Sequence, residues 1–295
     1  MNRQAPIFSL EYLPLLIRLE CKETTRLPAF LGSTLHGVTG WALTRHSESY
    51  TYIFENRRLG GAIQDIVNPY IIEPPRPKPV YYKGDPLCFK LILIGDAVRY
   101  AKDILTSLDQ AQIFGMGAER KAFELTDILH GDQYGQIWKQ GQFNMNAAAP
   151  ENMSAYALQE HASWCSVHMV TPVRIRRGGA LVQHIDFPTI IRNITKRIQL
   201  LTERYGGQMN TDVAMKACEL ASQISPTSAG MYLNEMHRYS SRKKESVDWS
   251  GMLGSLTFEG ELSPFIPWLN AARILHIGRN STFGCGQIDV VYRSM

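Results

Sequence analysis

Apolar and polar positions along the chain alternate in some stretches and recur with helical spacing in others. "YLPLLIRLECK" (Tyr12 to Lys22) partly alternates and predicts a first strand. "LPAFLGSTLHGVTGWALTRH" follows and predicts a helix with Pro28 near its start. A proline-rich connector, "EPPRPKPVYYKGD", leads to a strand in "PLCFKLILIG" and a helix in "DAVRYAKDILTSLDQAQ". "IFGMGAERKAFEL" is a glycine turn entering a short strand, and "FNMNAAAPENMSAYALQEHAS" has no clear period and reads as a linker. The second half opens on "WCSVHMVTPVRIRRGG", a strand that runs into basic residues. "FPTIIRNITKRIQLLTERYGG" is an amphipathic helix, with Ile190, Ile194, Arg197, Ile198 and Leu201 on the 3.6-residue period. "SGMLGSLTFEGEL" reads as a strand pair or hairpin, "SPFIPWLNAARILHI" as a helix and "GQIDVVY" as a closing strand.

The two halves share an order. Each starts with a strand leading to a helix, and each ends with strand, helix, glycine turn, strand. This predicts an α+β tandem of two similar units, most simply ferredoxin-like βαββαβ folds over residues 1–155 and 160–295. A single decorated sheet is the alternative.

Composition narrows the classes. At 295 residues the chain is long enough to bury a core without disulfides. Its five cysteines are widely spaced and form no CxxC pair, which argues against a disulfide framework or a thiolate zinc site and for a reducing, cytoplasmic setting. Neither a signal peptide nor a membrane span is expected. The formal net charge of +4 permits an acidic partner without demanding one. There is no HExxH, HxH or clustered acidic pair to suggest a metal, and no cofactor motif. Cys285 lacks an identifiable base and reads as a small buried thiol rather than a nucleophile.

The distinctive stretch is "HIGRNSTFGCGQIDVVY", where Gly278, Gly284 and Gly286 crowd together. It is not a dinucleotide loop, because a helix precedes it and a strand follows it, the reverse of the order that places a pyrophosphate on a helix N-terminus. No GxxxxGK[ST] sequence exists. One reading is a tight helix-to-strand connection. The other is a cradle whose backbone amides face the phosphates of an acidic polymer, with Arg279 adding charge.

The segment from His237 to Val291, with "RYSSR" before a "GMLG" turn, an apolar helix and then "HIGRNSTFGCGQI", closely resembles the C-terminal domain of the Cas-six family, CRISPR repeat-processing endoribonucleases of the RAMP superfamily. "TPVRIRRGG" resembles the opening of that domain, and "GSTLHGVTGWAL", "NPYIIEPP" and "GMGAERKAFEL" resemble the family's first domain more loosely. The resemblance implies binding of precursor CRISPR RNA and one cut per repeat. It also implies metal-independent attack by the RNA's own 2′-hydroxyl, leaving a 2′,3′-cyclic phosphate. Other effector-complex subunits and a homodimer are partners it allows.

Such a reaction needs a base for the 2′-hydroxyl, an acid for the leaving 5′ oxygen and positive charge for the transition state. Histidine suits the proton transfers. On a helical wheel His36 points away from a stripe of Leu31, Val38 and Ala42, and lies near Gly32, Ser33 and Gly40. Those small residues would admit a bulky RNA backbone, and Ser33 would bond the imidazole or a phosphate oxygen. The alternative for His36 is a packing histidine with glycines for close helix contact. His46, after the helix, is the second catalytic candidate. RNA-binding candidates are Arg174, Arg176 and Arg177 on the opening strand, and Arg192 and Lys196 on the long helix. Arg238, Tyr239, Arg242, Lys243 and Lys244 form a further group, and Gly278, Arg279, Gly284 and Gly286 lie in the loop. A non-catalytic RNA-binding subunit on the same fold is the competing function.

Overall fold

The computed structural model describes residues 6–56, 67–155, 161–240 and 245–293. In the first half, β1 (Phe8–Cys21) leads to α1 (Gly32–Leu43), β2 (Tyr70–Glu73), β3 (Pro86–Ile94), α2 (Ala101–Ala111), β4 (Ile113–Met116) and β5 (Lys121–His130). Alternation in β1 places Leu13, Leu15, Ile17 and Leu19 in the core. The principal strands lie in the order β2-β3-β1-β5, each neighbour antiparallel. Strands β6 (Gln136–Lys139) and β7 (Gln142–Phe143) extend the β5 edge. The stretch expected to be a linker contributes β8 (Glu151–Ala155), which pairs with the start of β1.

The second half runs β9 (Trp164–Val173), α3 (Phe187–Tyr205), β10 (Gln208–Met209), α4 (Thr211–Ala221) and β11 (Pro226–Asn234). A hairpin of β12 (His237–Ser240) and β13 (Glu245–Asp248) follows, then β14 (Gly251–Glu259), α5 (Ile266–Leu275) and β15 (Ile288–Arg293). Its sheet order is β11-β14-β9-β15. With strands counted by their place in each βαββαβ unit, both sheets read second-third-first-fourth. The chain is a tandem of ferredoxin-like units. The expected hairpin in "SGMLGSLTFEGEL" is instead the single strand β14.

Helix α3 follows its sequence closely. The Asp186 side chain accepts the Thr189 amide at 2.8 Å and caps it, and proline lies in its first turn. Ile190, Ile194, Ile198 and Leu201 are fully buried. Helix α1 departs from expectation in part: Leu31 and Ala42 of the expected stripe are buried, but Val38 is only half-buried and Leu35, Thr39 and Leu43 join the buried face.

The two units are knitted together. Strand β10 pairs with β1, Phe8 packs on Trp268 at 5.2 Å between ring centroids, and the Tyr205 hydroxyl donates to the Val67 carbonyl at 2.6 Å. The loop between α5 and β15 completes the seam. A Cβ on Gly284, at φ +82°, would strike Pro74 beyond β2, and one on Gly32 would overlap the Phe283 carbonyl. Glycine is required there because the second unit's backbone rests against the first.

Gly284→Ala is therefore expected to lower unfolding stability by about 2 kcal/mol, combining left-handed strain with overpacking. Gly37→Ala, on α1 with open space around its Cβ position, should instead raise stability by about 0.5–1 kcal/mol through helix propensity. Urea unfolding of the two variants checks both signs.

Candidate active site

A cleft of about 1620 Å³ separates the units. Ser33, Gly37 and Trp41 of α1 line one side together with Arg76 of the proline connector and Arg120 of the β4–β5 turn. Thr171, His237 and Trp249 line the other. Trp41 is 49% exposed, and the Arg45 guanidinium lies 4.6 Å from its ring. Arginine forks and the exposed Trp41 indole suit phosphates and unpaired bases, whereas Trp249 on the other side is buried. Arg76, Arg120, Trp41 and His237 were not singled out from sequence. Only the fold shows that the proline connector, the glycine turn and the second unit's hairpin meet here.

His36 sits one layer behind this wall, half-buried at the seam. Its Nδ1 is 2.9 Å from the Tyr70 hydroxyl. Its ring lies 4.0 Å from Phe283, 5.3 Å from Phe54 and 6.1 Å from Tyr70, centroid to centroid. Phe283 in turn meets Trp249 edge-on at 4.9 Å, linking the imidazole to the cleft wall. The small residues flanking His36 admit protein: Gly32 faces the Phe283 carbonyl and Gly40 faces the Phe54 ring. Ser33 faces the cleft. His46 follows α1, half-buried, its amide donating to the Leu43 carbonyl at 2.9 Å. Tyr70 is buried, which holds its phenol well above the usual tyrosine range, partly opposed by a hydrogen bond with Thr282.

The glycine loop is not an open phosphate cradle. The amide of Gly278 donates to Asn193 Oδ1 at 2.9 Å, that of Gly284 to the Ser281 carbonyl at 2.9 Å and that of Gly286 to the Pro172 carbonyl at 3.0 Å. What comes close to these glycines is the protein itself. Arg197, on the apolar stripe of α3, is buried beneath the loop and donates to Ser281 Oγ at 3.1 Å and to the Gly278 carbonyl. Burial lowers its pKa to about 10. Arg174 is likewise buried, its guanidinium donating to the carbonyls of Ser250 and Asp248. Burial pulls its pKa down, with Asp248 opposing. It braces the β13–β14 corner instead of facing solvent.

Arg176, Arg177, Arg192, Lys196 and Arg279 are exposed. Arg176 lies 3.9 Å from Asp248 Oδ2, and Arg192 Nε donates to the Pro188 carbonyl at 3.2 Å. Arg238 and Tyr239 lie on β12, and the expectation for Arg242, Lys243 and Lys244 falls outside the described residues. Cys285 is fully buried, and burial pushes its thiol to about 12, so it stays protonated. Among the described residues no three His, Cys, Asp or Glu side chains gather to hold a metal ion, and no helix is long and apolar enough to cross a membrane.

Two ferredoxin-like units face each other across a cleft and are clasped by a glycine-rich loop. Residues 167–288 match the family model of the CRISPR-associated endoribonuclease Cas6, and residues 10–152 match a second model described as an N-terminal domain. Among solved structures, a Cas6 product complex aligns with TM-score 0.63 and 14% identity over 95% of this chain and 100% of the other. Thermus thermophilus Cas6 aligns with TM-score 0.56 and 13% identity over 95% and 99%. A partial Cas6-RT-Cas1–Cas2 complex aligns with TM-score 0.58 and 12% identity over 98% of this chain and 47% of that one. At such identities these likenesses concern the fold. No curated protein sequence matches the chain significantly. The second unit thus matches the family of the CRISPR-associated endoribonuclease Cas6, and the chain as a whole shares the fold of solved Cas6 structures.

Arg197→Ala is expected to lower stability by about 2 kcal/mol, since it strips charged hydrogen bonds from the buried loop. Arg279→Ala, at an exposed position of the same loop, should stay within about 0.5 kcal/mol of wild type. Denaturant midpoints of the two variants make the comparison.

Proposed function

We propose that this protein binds the repeat of precursor CRISPR RNA in and around the cleft and cuts it without a metal ion. The RNA's 2′-hydroxyl attacks the adjacent phosphorus, and the bond to the 5′ oxygen breaks. The products are a 2′,3′-cyclic phosphate and a 5′-hydroxyl. His36 exchanges protons with the reacting oxygens through Nε2, and Ser33, facing the cleft on the same helix, bonds a phosphate oxygen. His46 is the alternative histidine. The exposed cations Arg176, Arg177, Arg192, Lys196 and Arg279, with Arg238, Arg242, Lys243 and Lys244 of the hairpin region, draw in the RNA backbone. Tyr239 offers a stacking face.

The observation that carries this reading is the position of His36. It is a half-buried imidazole on α1, anchored at Nδ1 one layer behind the cleft wall that Ser33 and Gly37 of the same helix help to form. One feature favours a second reading. Aromatic rings on several sides also describe a structural histidine, and then the protein is an RNA-holding subunit that does not cut. The relatives solved as a product complex and as a Cas6-RT-Cas1–Cas2 assembly support RNA and other CRISPR proteins as partners here.

Repeat RNA from the adjacent CRISPR array, incubated with the protein in excess EDTA, is expected to be cut at one position. A 2′-deoxy group upstream of the cut should block the reaction. His36→Ala should slow cleavage by about 100-fold or more while retaining binding. Specific binding with no cleavage by the wild type would replace this reading with the second. Full cleavage by His36→Ala would move the proton transfers to His46.

A further inference from the structure

We propose that the cleft face of α1 is a track for unpaired RNA: the repeat's backbone crosses the helix at Gly37, and a neighbouring base stacks on Trp41. The proposal rests on the reading of the cleft as the RNA site. It adds that the segment lying there is single-stranded, and it names the residues that hold it.

Ser33, Gly37 and Trp41 are spaced four apart on α1, so they share one face, and all three line the cleft. From Ser33 to Trp41 that face runs about 12 Å. The helix carries three glycines, Gly32, Gly37 and Gly40, although glycine weakens a helix interior relative to alanine. Two of them have a reason inside the protein: Gly32 makes room for the Phe283 carbonyl and Gly40 for the Phe54 ring. Gly37 has none, since it is exposed and a Cβ there would meet no atom within 4 Å. Its place in the cleft supplies the reason. A bare patch of helix next to His36 lets a sugar–phosphate backbone come closer than any side chain would allow.

Trp41 lies one turn further along and is 49% exposed. Arg45 lies over its ring, 4.6 Å from the centroid, and Arg45 Nη1 donates to the Ala42 carbonyl at 3.3 Å. Arg45 is not itself a cleft-lining residue, whereas Trp41 is. The indole is thus steadied by a cation before any ligand arrives, and that cation adds positive charge behind a stacked base. The cleft's charge points the same way. Arg76 and Arg120 are exposed on its lining, and Glu235 is the one carboxylate there among the described residues. A flat ring beside phosphate-binding charge selects a nucleotide over an apolar peptide. A base inside a duplex has both faces covered by its neighbours, so the base on Trp41 is an unpaired one, splayed out of any stem.

The test uses Trp41→Ala, Trp41→Phe and Gly37→Leu, with the 2′-deoxy repeat as an uncleaved ligand. An abasic site is moved along that repeat one position at a time, and affinity is measured for wild type and Trp41→Ala. In wild type, one position near the cut is expected to cost about 10-fold in affinity, and pairing that position with an annealed strand should cost as much. Trp41→Ala should lose about 10-fold on the intact repeat and become insensitive to the abasic site at that position, because ring and base act as a pair. Trp41→Phe should keep most of the affinity. Gly37→Leu should bind about 10-fold more weakly with an unfolding midpoint no lower than wild type, a combination that damage to the fold would not produce. Wild-type affinity in Trp41→Ala or in Gly37→Leu would overturn the proposal and leave this face to a protein partner. Identical abasic profiles in wild type and Trp41→Ala would also overturn it. The two readings fail separately. If wild type does not prefer the repeat to a scrambled RNA of equal length, the reading of the cleft falls and takes this inference with it. If wild type prefers and cuts the repeat while the variants match it, only this inference falls.

Discussion

The backbone of the C-terminal loop presses directly on the N-terminal unit, and the arrangement of the site depends on that contact. The carbonyl of Phe283 occupies the space a side chain at Gly32 would fill, and Gly284 lies against Pro74. Close packing of this kind leaves little room to slide, because interiors are packed near crystal density and a shift of an ångström creates overlap or voids. Arg197 fixes the loop from below by donating to Ser281 and Gly278, and His276 Nε2 lies 3.5 Å from Glu73 Oε1 across the same seam. The two units thus form one framework around the cleft.

That framework explains why an imidazole on the first unit's helix is surrounded by groups from both. Tyr70 and Phe54 come from the first unit, and Phe283 from the second. The first unit supplies the hydrogen bond at Nδ1, and the second adds the Phe283 ring against the imidazole. The buried cations follow the same logic. Arg174 and Arg197 face backbone carbonyls at corners of the second unit, where a guanidinium satisfies several acceptors at once, at the cost of its own hydration. The cations just after β9, on the outer face of α3 and at Arg279 of the loop face solvent instead.

Much of the fold was legible in the sequence because burial and period coincide. The isoleucines of α3, the alternation of β1 and the strand-helix-glycine-strand endings all report a core face, and together they indicate a tandem of ferredoxin-like units. Strand β11 escaped because it is an edge strand with several exposed small residues, so no alternation marks it. The buried face of α1 was only partly read, because Thr39 contributes to it and a polar residue does not announce burial. The role of the glycines was misjudged for a related reason. Their spacing shows that something comes close, but it does not distinguish a nucleic acid from the other half of the same chain. The same holds for Arg174, whose type suggests solvent and whose position is buried, whereas the period of α3 already placed Arg197 on its buried face. His36 was a candidate on chemistry and resemblance, whereas its contacts with Tyr70 and Phe283 follow only from the pairing of α1, β2 and the loop.

The central claim is that the C-terminal loop packs against His36 in the protein without RNA. Proton–proton NOEs between the Phe283 ring and the His36 imidazole in the free, isotope-labelled protein test it most directly. Rings with centroids 4.0 Å apart should give strong cross-peaks. Their absence, with Phe283 instead showing contacts only within its own unit, would contradict the account.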